Sequence, residues 1–208
     1  DAKPAEIQKL FRKSRIIGRR FQIVHVRMGP EIIEVTTFRG SSENSHHQKA
    51  NESGMLVRDN VFGTVEDDAV RRDFTMNALY YDPARHEVLD FVGGYDDLED
   101  QLIRIIGDPE TRYREDPVRM LRAIRFVGKL GLTMEPDTEE PIERLAPLLR
   151  DVSPSRLFDE VLKLLQAGHG QATFEPLYRF GLLRSLFPQT DDILSTGDDT
   201  HYHQLIQL

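Results

Sequence analysis

The pattern of apolar residues changes at Gly107-Asp108-Pro109, and that change constrains the fold more than any other feature of this 208-residue chain. Before it, short alternating stretches and paired turn residues predict strands mixed with short helices. After it, apolar residues recur at helical spacing in longer runs separated by Pro and Gly. The expectation is an α+β chain with an antiparallel sheet in its first part and helices in its second.

In the first part, residues 4–13 predict an amphipathic helix with Ile7, Leu10 and Phe11 on its apolar side. RIIGRRFQIVHVRMG and PEIIEVTTFRG then read as antiparallel neighbours about Gly29-Pro30, with Ile32, Glu34, Thr36 and Phe38 on one face and Ile33, Val35 and Thr37 on the other. Residues 40–54 form a polar loop whose adjacent His46 and His47 lack the recurrent ligand spacing of a metal site. VRRDFTMNALYYDP reads as a loop, a short helix capped by Asp73 near Met76, and a strand. YYDPARHEVLDF predicts a hairpin turning at Asp82-Pro83, and DLEDQLIRII predicts a helix through Leu98, Leu102 and Ile105 or Ile106. Further helices are expected at 116–130, 141–149, 155–167 and 175–183.

Cysteine is absent, which excludes disulfides and thiolate sites and fits a cytoplasmic setting. No apolar run approaches the roughly 18 residues of a membrane span, so no membrane partner is expected, and DAKPAEIQKLF has no signal-peptide character. The net charge of -8 by itself argues against a nucleic-acid surface. The charges are unevenly placed, however. Arg12, Lys13, Arg15, Arg19, Arg20, Arg27 and Arg39 face only Glu31 and Glu34 within residues 12–39, and a second arginine cluster spans 104–129. Solvated charged faces are the ordinary reading of that layout, and two basic patches on an acidic chain are the alternative.

Three constellations could carry chemistry. Glu34 interrupts an apolar strand, where a carboxylate is costly to bury unless paired or ligating; it is either a Mg2+ ligand or the solvent side of an edge strand. Arg71, Arg72 and Asp73 at a helix entrance suit a triphosphate, or fasten the polar loop to the sheet. Within REDPVRMLRAIRF, Asp116, Arg119 and Arg122 recur every third residue. They offer an acceptor beside donors, as needed to read a nucleobase edge, or else a plain helical ion pair. VSPSRLFDEVLKLL predicts a helix with Ser153 as cap and Arg156 one turn from Glu160, placed to brace Asp116 and Arg119.

IIEVTTFRG, RRDFTMNALYYD, DFVGGYDDLEDQLIRIIGDPETRYREDPVRMLRAIRF and VSPSRLFDEVLKLL, in that order, resemble the class II nucleotidyltransferase family of bacterial poly(A) polymerases and CCA-adding tRNA nucleotidyltransferases. The resemblance implies an incomplete polymerase-β-like head at 1–107, a helical neck at 108–170 and the start of a helical, RNA-binding body at 171–208. In the family pattern a strand bearing Asp-x-Asp holds two catalytic Mg2+ ions. That element is not in this sequence, and Asp1 is expected to lie just downstream of it, with HYHQLIQL stopping inside a further helix. By resemblance, Glu34 is the remaining metal-binding and catalytic carboxylate, Arg72 and Asp73 sit on the phosphate side, Asp116 and Arg119 read the base, and Arg122 supports the nucleotide.

The branch resembled most is the poly(A) polymerases, which implies ATP as substrate, RNA 3' ends as partner and AMP addition as the reaction. The alternatives are CCA addition to tRNA and an RNA-binding protein that keeps the fold without catalysis. Ser155 departs from the CCA pattern, which commonly has Glu at that position. Without the two aspartates, these 208 residues alone are expected to be inactive.

Overall fold

The computed structural model describes residues 2–18, 22–40, 62–166 and 168–196. Its contacts divide into two units, Asp1–Arg71 and Arg72–Leu208.

In the first unit, α1 (Pro4–Leu10) opens on a proline, whose missing N–H is no loss in a first turn, and stops before residue 13 because Phe11 turns extended. The stretch expected as one β-rich segment makes two strands, β1 (Ser14–Ile17) and β2 (Ile23–Met28), and β3 (Glu31–Val35) completes an antiparallel sheet in the order β1-β2-β3. Gly29 takes φ 66° in the β2–β3 turn, a left-handed value that glycine adopts without strain. Val24 and Val26 are buried against Ile7, with Ile16 and Val35 packed alongside. Alternation then sends His25 and Arg27 to the opposite face, where Arg15, His25 and Glu34 are cross-strand partners.

A short helix absent from the sequence expectation, α2 (Val65–Val70), follows. Its first turn is acidic and its cap is Thr64, which exchanges hydrogen bonds with Asp67. Arg39 pairs with Phe62 in an isolated bridge, Asp68 accepts from the Arg39 N–H at 3.1 Å, and Arg71 donates to the Gly40 carbonyl at 2.8 Å. Arg71 thus makes a contact of the fastening kind, at the first residue of the polar loop. The loop with His46 and His47, and Arg19 and Arg20, lie outside the described residues.

The second unit begins with a 3-10 turn, Thr75–Asn77, and the expected hairpin of β4 (Leu79–Asp82) and β5 (Glu87–Asp90) in the register Leu79↔Asp90 to Asp82↔Glu87. The helix expected through Leu102 ends early: α3 (Gly94–Glu99) stops before Gln101, which takes φ 55°, and the chain continues as β6 (Leu102–Ile103). β6 pairs in parallel with β7 (Thr133–Met134), and Ile105 bridges Phe74. The helices are α4 (Pro109–Glu115), α5 (Val118–Leu130), α6 (Pro136–Glu139), α7 (Pro141–Leu145) continuing as a 3-10 turn Ala146–Asp151, α8 (Pro154–Leu165), α9 (Gly170–Arg179), α10 (Leu182–Leu186) and α11 (Pro188–Thr196). Gly181, at φ 67°, breaks the helix expected at 175–183 into α9 and α10.

One core joins Phe74, Ile103 and Ile105 to Tyr113, Leu121, Ile124, Leu164 and Leu177, so the segment 73–75 is seated on the same apolar mass as α5. A polar network ties that segment down further. The Thr75 hydroxyl donates to Asp97 at 2.7 Å, Arg104 bonds both Asp97 and Glu135 at 3.1 Å, and Thr75 N–H and Ile106 N–H close backbone bonds to Arg104 and Asp73.

Candidate nucleotide site

Asp73 does not cap the following turn as expected. Its Oδ1 accepts from the Phe74 N–H at 2.9 Å and the Asn77 amide at 3.0 Å, and its Oδ2 takes the Nε of Arg122 at 2.6 Å. A second guanidinium nitrogen of Arg122 reaches the same oxygen at 2.5 Å. Arg122 therefore projects from the second turn of α5 to hold Asp73, rather than standing clear for a ligand. Arg72 stacks its guanidinium over Tyr80 at 5.5 Å, and its carbonyl accepts from Arg112 at 2.7 Å.

The expected helical triplet is broken at its start. Asp116 has φ -152° and ends α4, because Pro117 cannot follow a helical residue comfortably and instead opens α5. Asp116 and Arg119 therefore make no side-chain ion pair with one another. Asp116 Oδ2 accepts from Arg156 at 2.6 Å and its Oδ1 from the Val118 N–H at 3.3 Å. One terminal nitrogen of Arg119 donates to the Arg112 carbonyl at 2.6 Å and to Glu115 at 2.9 Å, and among the described residues its Nε and other terminal nitrogen have no hydrogen-bond acceptor. The brace from α8 exists, though it reaches Asp116 only. Ser155 is exposed, and its departure from the CCA pattern does not dislodge the neighbouring Arg156. Glu160, one turn from Arg156, accepts from Lys163 at 2.7 Å.

Arg112 and Glu115 were not singled out as site residues by the sequence. Arg112 donates to Glu115 at 2.8 Å while its own carbonyl holds Arg119, so the pair clamps the kink between α4 and α5. Burial, and then the neighbouring Arg119, hold the Arg112 guanidinium below the ordinary arginine range. The signal available was spacing: residues 112, 115 and 119 fall on one side of a helix.

In the first unit Glu34 is on an edge strand with its side chain 62% exposed, 3.0 Å from His25 Nε2. The burial cost expected for it does not arise, and the edge-strand alternative describes its surroundings. Mg2+ requires near-octahedral oxygen ligation. Among the described residues no three His, Cys, Asp or Glu side chains converge, so Glu34 by itself does not make a metal site.

Residues 1–104 match the family described as poly A polymerase head domain, and residues 131–194 match one described as a probable RNA and SrmB-binding site of polymerase A. The chain belongs to the poly A polymerase head-domain family of nucleotidyltransferases. Poly(A) polymerase I of Escherichia coli O157:H7 is 52% identical over all of this chain and 45% of its own length. The CCA-adding enzyme of Bacillus subtilis is 34% identical over 95% of this chain and 49% of its own. The crystal structure of the Bacillus stearothermophilus CCA-adding enzyme in complex with CTP superposes with a TM-score of 0.71 at 35% identity, covering 87% of this chain and 42% of that one. The chain thus spans about half the length of the relatives it matches. No helix among the described residues is long and apolar enough to cross a membrane.

Proposed function

We propose that the full-length protein adds AMP from ATP to RNA 3' ends without a template, and that the second unit holds its nucleotide. The observation that carries the proposal is the pre-set pair at the α4–α5 kink. Asp116 is fixed by Arg156 as an acceptor, and Arg119 is fixed by Glu115 with donors to spare. An adenine edge presents an amino donor beside a ring-nitrogen acceptor, and a fixed acceptor and donor read both without reorganising. Arg72 and the Asp73–Arg122 pair serve the phosphate side, with Arg122 orienting Asp73.

Identity of 52% to a poly(A) polymerase I against 34% to a CCA-adding enzyme favours the polyadenylating branch. Divalent metal, with Glu34 as one ligand, and a cytoplasmic setting belong to the same proposal for the whole protein. The test is extension of an RNA oligonucleotide and of a tRNA lacking its CCA end by the full-length protein, with ATP or CTP. Runs of A on the oligonucleotide are expected. Ordered C, C, A addition confined to the tRNA would establish the alternative, and binding without any transfer would leave a non-catalytic RNA-binding protein.

A further inference from the structure

The outer face of the three-stranded sheet carries a feature that nucleotide recognition does not use. Arg12, Lys13, Arg15, His25 and Arg27 line a cavity of about 690 Å3 together with Ser14, Gly29 and Ile32, with no acidic residue in its wall. The register explains the gathering. Arg15 sits across from His25, the Arg27 N–H bonds the Lys13 carbonyl at 2.9 Å, and Arg27 sits across from Ile32, so side chains from β1, β2 and the turn before β1 point the same way. Their opposite neighbours Val24 and Val26 are buried, which pins the register and with it the basic face.

None of Arg12, Lys13, Arg15 and Arg27 has an acidic partner among the described residues; Arg27 Nε donates only to the Gly29 carbonyl at 3.3 Å. Glu34 is outside the lining and is engaged 3.0 Å from His25. Four exposed cations gathered in one concavity of a chain whose net charge is -8 create a local positive potential that favours an anion there.

We infer that this cavity is a binding subsite for the sugar-phosphate backbone of the RNA strand being extended. The inference rests on the proposed action on RNA. The wall supplies guanidinium and ammonium groups, one hydroxyl, one imidazole and one apolar side chain, and it has no carboxylate and no Phe or Tyr ring, so its donors suit phosphate oxygens better than a base edge. Contacts of that kind hold phosphates regardless of sequence, which suits a strand that must shift by one nucleotide at every addition. His25 joins the lining to Glu34, so a backbone held there runs alongside the carboxylate of this unit.

The experiment uses full-length protein, a fluorescent single-stranded RNA without ATP, and anisotropy measured across a salt series. In Lys13→Gln/Arg15→Gln/Arg27→Gln, RNA affinity is expected to fall tenfold or more. The slope of log affinity against log salt should fall by about 2, since each phosphate contact on a single strand contributes about 0.7. The charge-conserving Arg15→Lys/Arg27→Lys protein should bind as wild type, which separates lost charge from lost folding, and the KM for ATP should be unchanged in both. Unchanged RNA affinity and slope in the Gln protein overturn the subsite while leaving RNA binding by the wild type intact. A rise in KM for ATP with unchanged RNA affinity overturns it in favour of a triphosphate site. Absence of RNA binding by the wild type overturns instead the function on which the inference rests.

Discussion

Arg122 and Asp73 stand 49 residues apart in sequence, yet two nitrogens of one guanidinium converge on a single oxygen of the Asp73 carboxylate, at 2.6 and 2.5 Å. The pair ties α5 to the loop that precedes the 3-10 turn, with Asp73 mostly buried and Arg122 partly so. Removing either side chain leaves a partly desolvated charge behind, so Asp73→Ala and Arg122→Ala should each destabilise the protein by about 1–3 kcal/mol. A double-mutant cycle by urea denaturation should return a coupling of about 0.5–3 kcal/mol. Additive single effects would mean that the two side chains do not act as a unit.

Arg156 touches Asp116 from α8 and is expected to act on the nucleotide only through it. Arg156→Ala in the full-length protein should raise the KM for ATP roughly tenfold, the scale of one charge-assisted hydrogen bond, with Arg156→Lys recovering part of the loss. A change confined to melting temperature, with ATP kinetics untouched, would reduce Arg156 to a packing role.

Gly94 opens α3 with its backbone hard against the 3-10 turn, and a Cβ built there falls 2.3 Å from the Thr75 carbonyl oxygen. That oxygen is backbone and cannot swing aside. Gly94→Ala should therefore cost about 1–3 kcal/mol. A chemical-denaturation midpoint equal to wild type would show that the turn yields more readily than its packing implies.

Glu110 accepts hydrogen bonds from Arg144 and Arg114, which draw its pKa from 4.5 down to about 2. A depressed folded pKa adds stability above the unfolded value, and the contribution disappears as pH falls through the folded one. The melting-temperature advantage of wild type over Glu110→Gln should thus be full above pH 4.5 and fade toward pH 2. An advantage that stays constant across that window would contradict the assignment.

Periodicity made much of this legible: the antiparallel pair about Gly29, the hairpin closing at Asp82 and Glu87, and the apolar side of α5 all follow from spacing. Spacing failed where one pattern serves two structures. Leu102 and Ile105 satisfy a helix as well as a strand, and only the distant partners Thr133 and Phe74 decide between them. Asp116, Arg119 and Arg122 look like one helical face, but Pro117 splits them into a kink residue and two helix residues with different partners. Glu34 reads as costly because its strand is apolar, whereas among the described residues the strand lies at the sheet edge and the carboxylate is 62% exposed. The pairs Asp73–Arg122 and Asp116–Arg156 span 49 and 40 residues, beyond the reach of any local pattern.

On the proposed function, Asp116 and Arg119, each held by its own partner, select adenine. Single-nucleotide incorporation by the full-length protein, with ATP and CTP in parallel for wild type, Asp116→Ala and Arg119→Ala, measures it directly. The expected result is a loss of ATP-over-CTP preference of about tenfold or more in each variant, the scale of one or two base-edge hydrogen bonds. Wild-type preference and rate in both variants would contradict it.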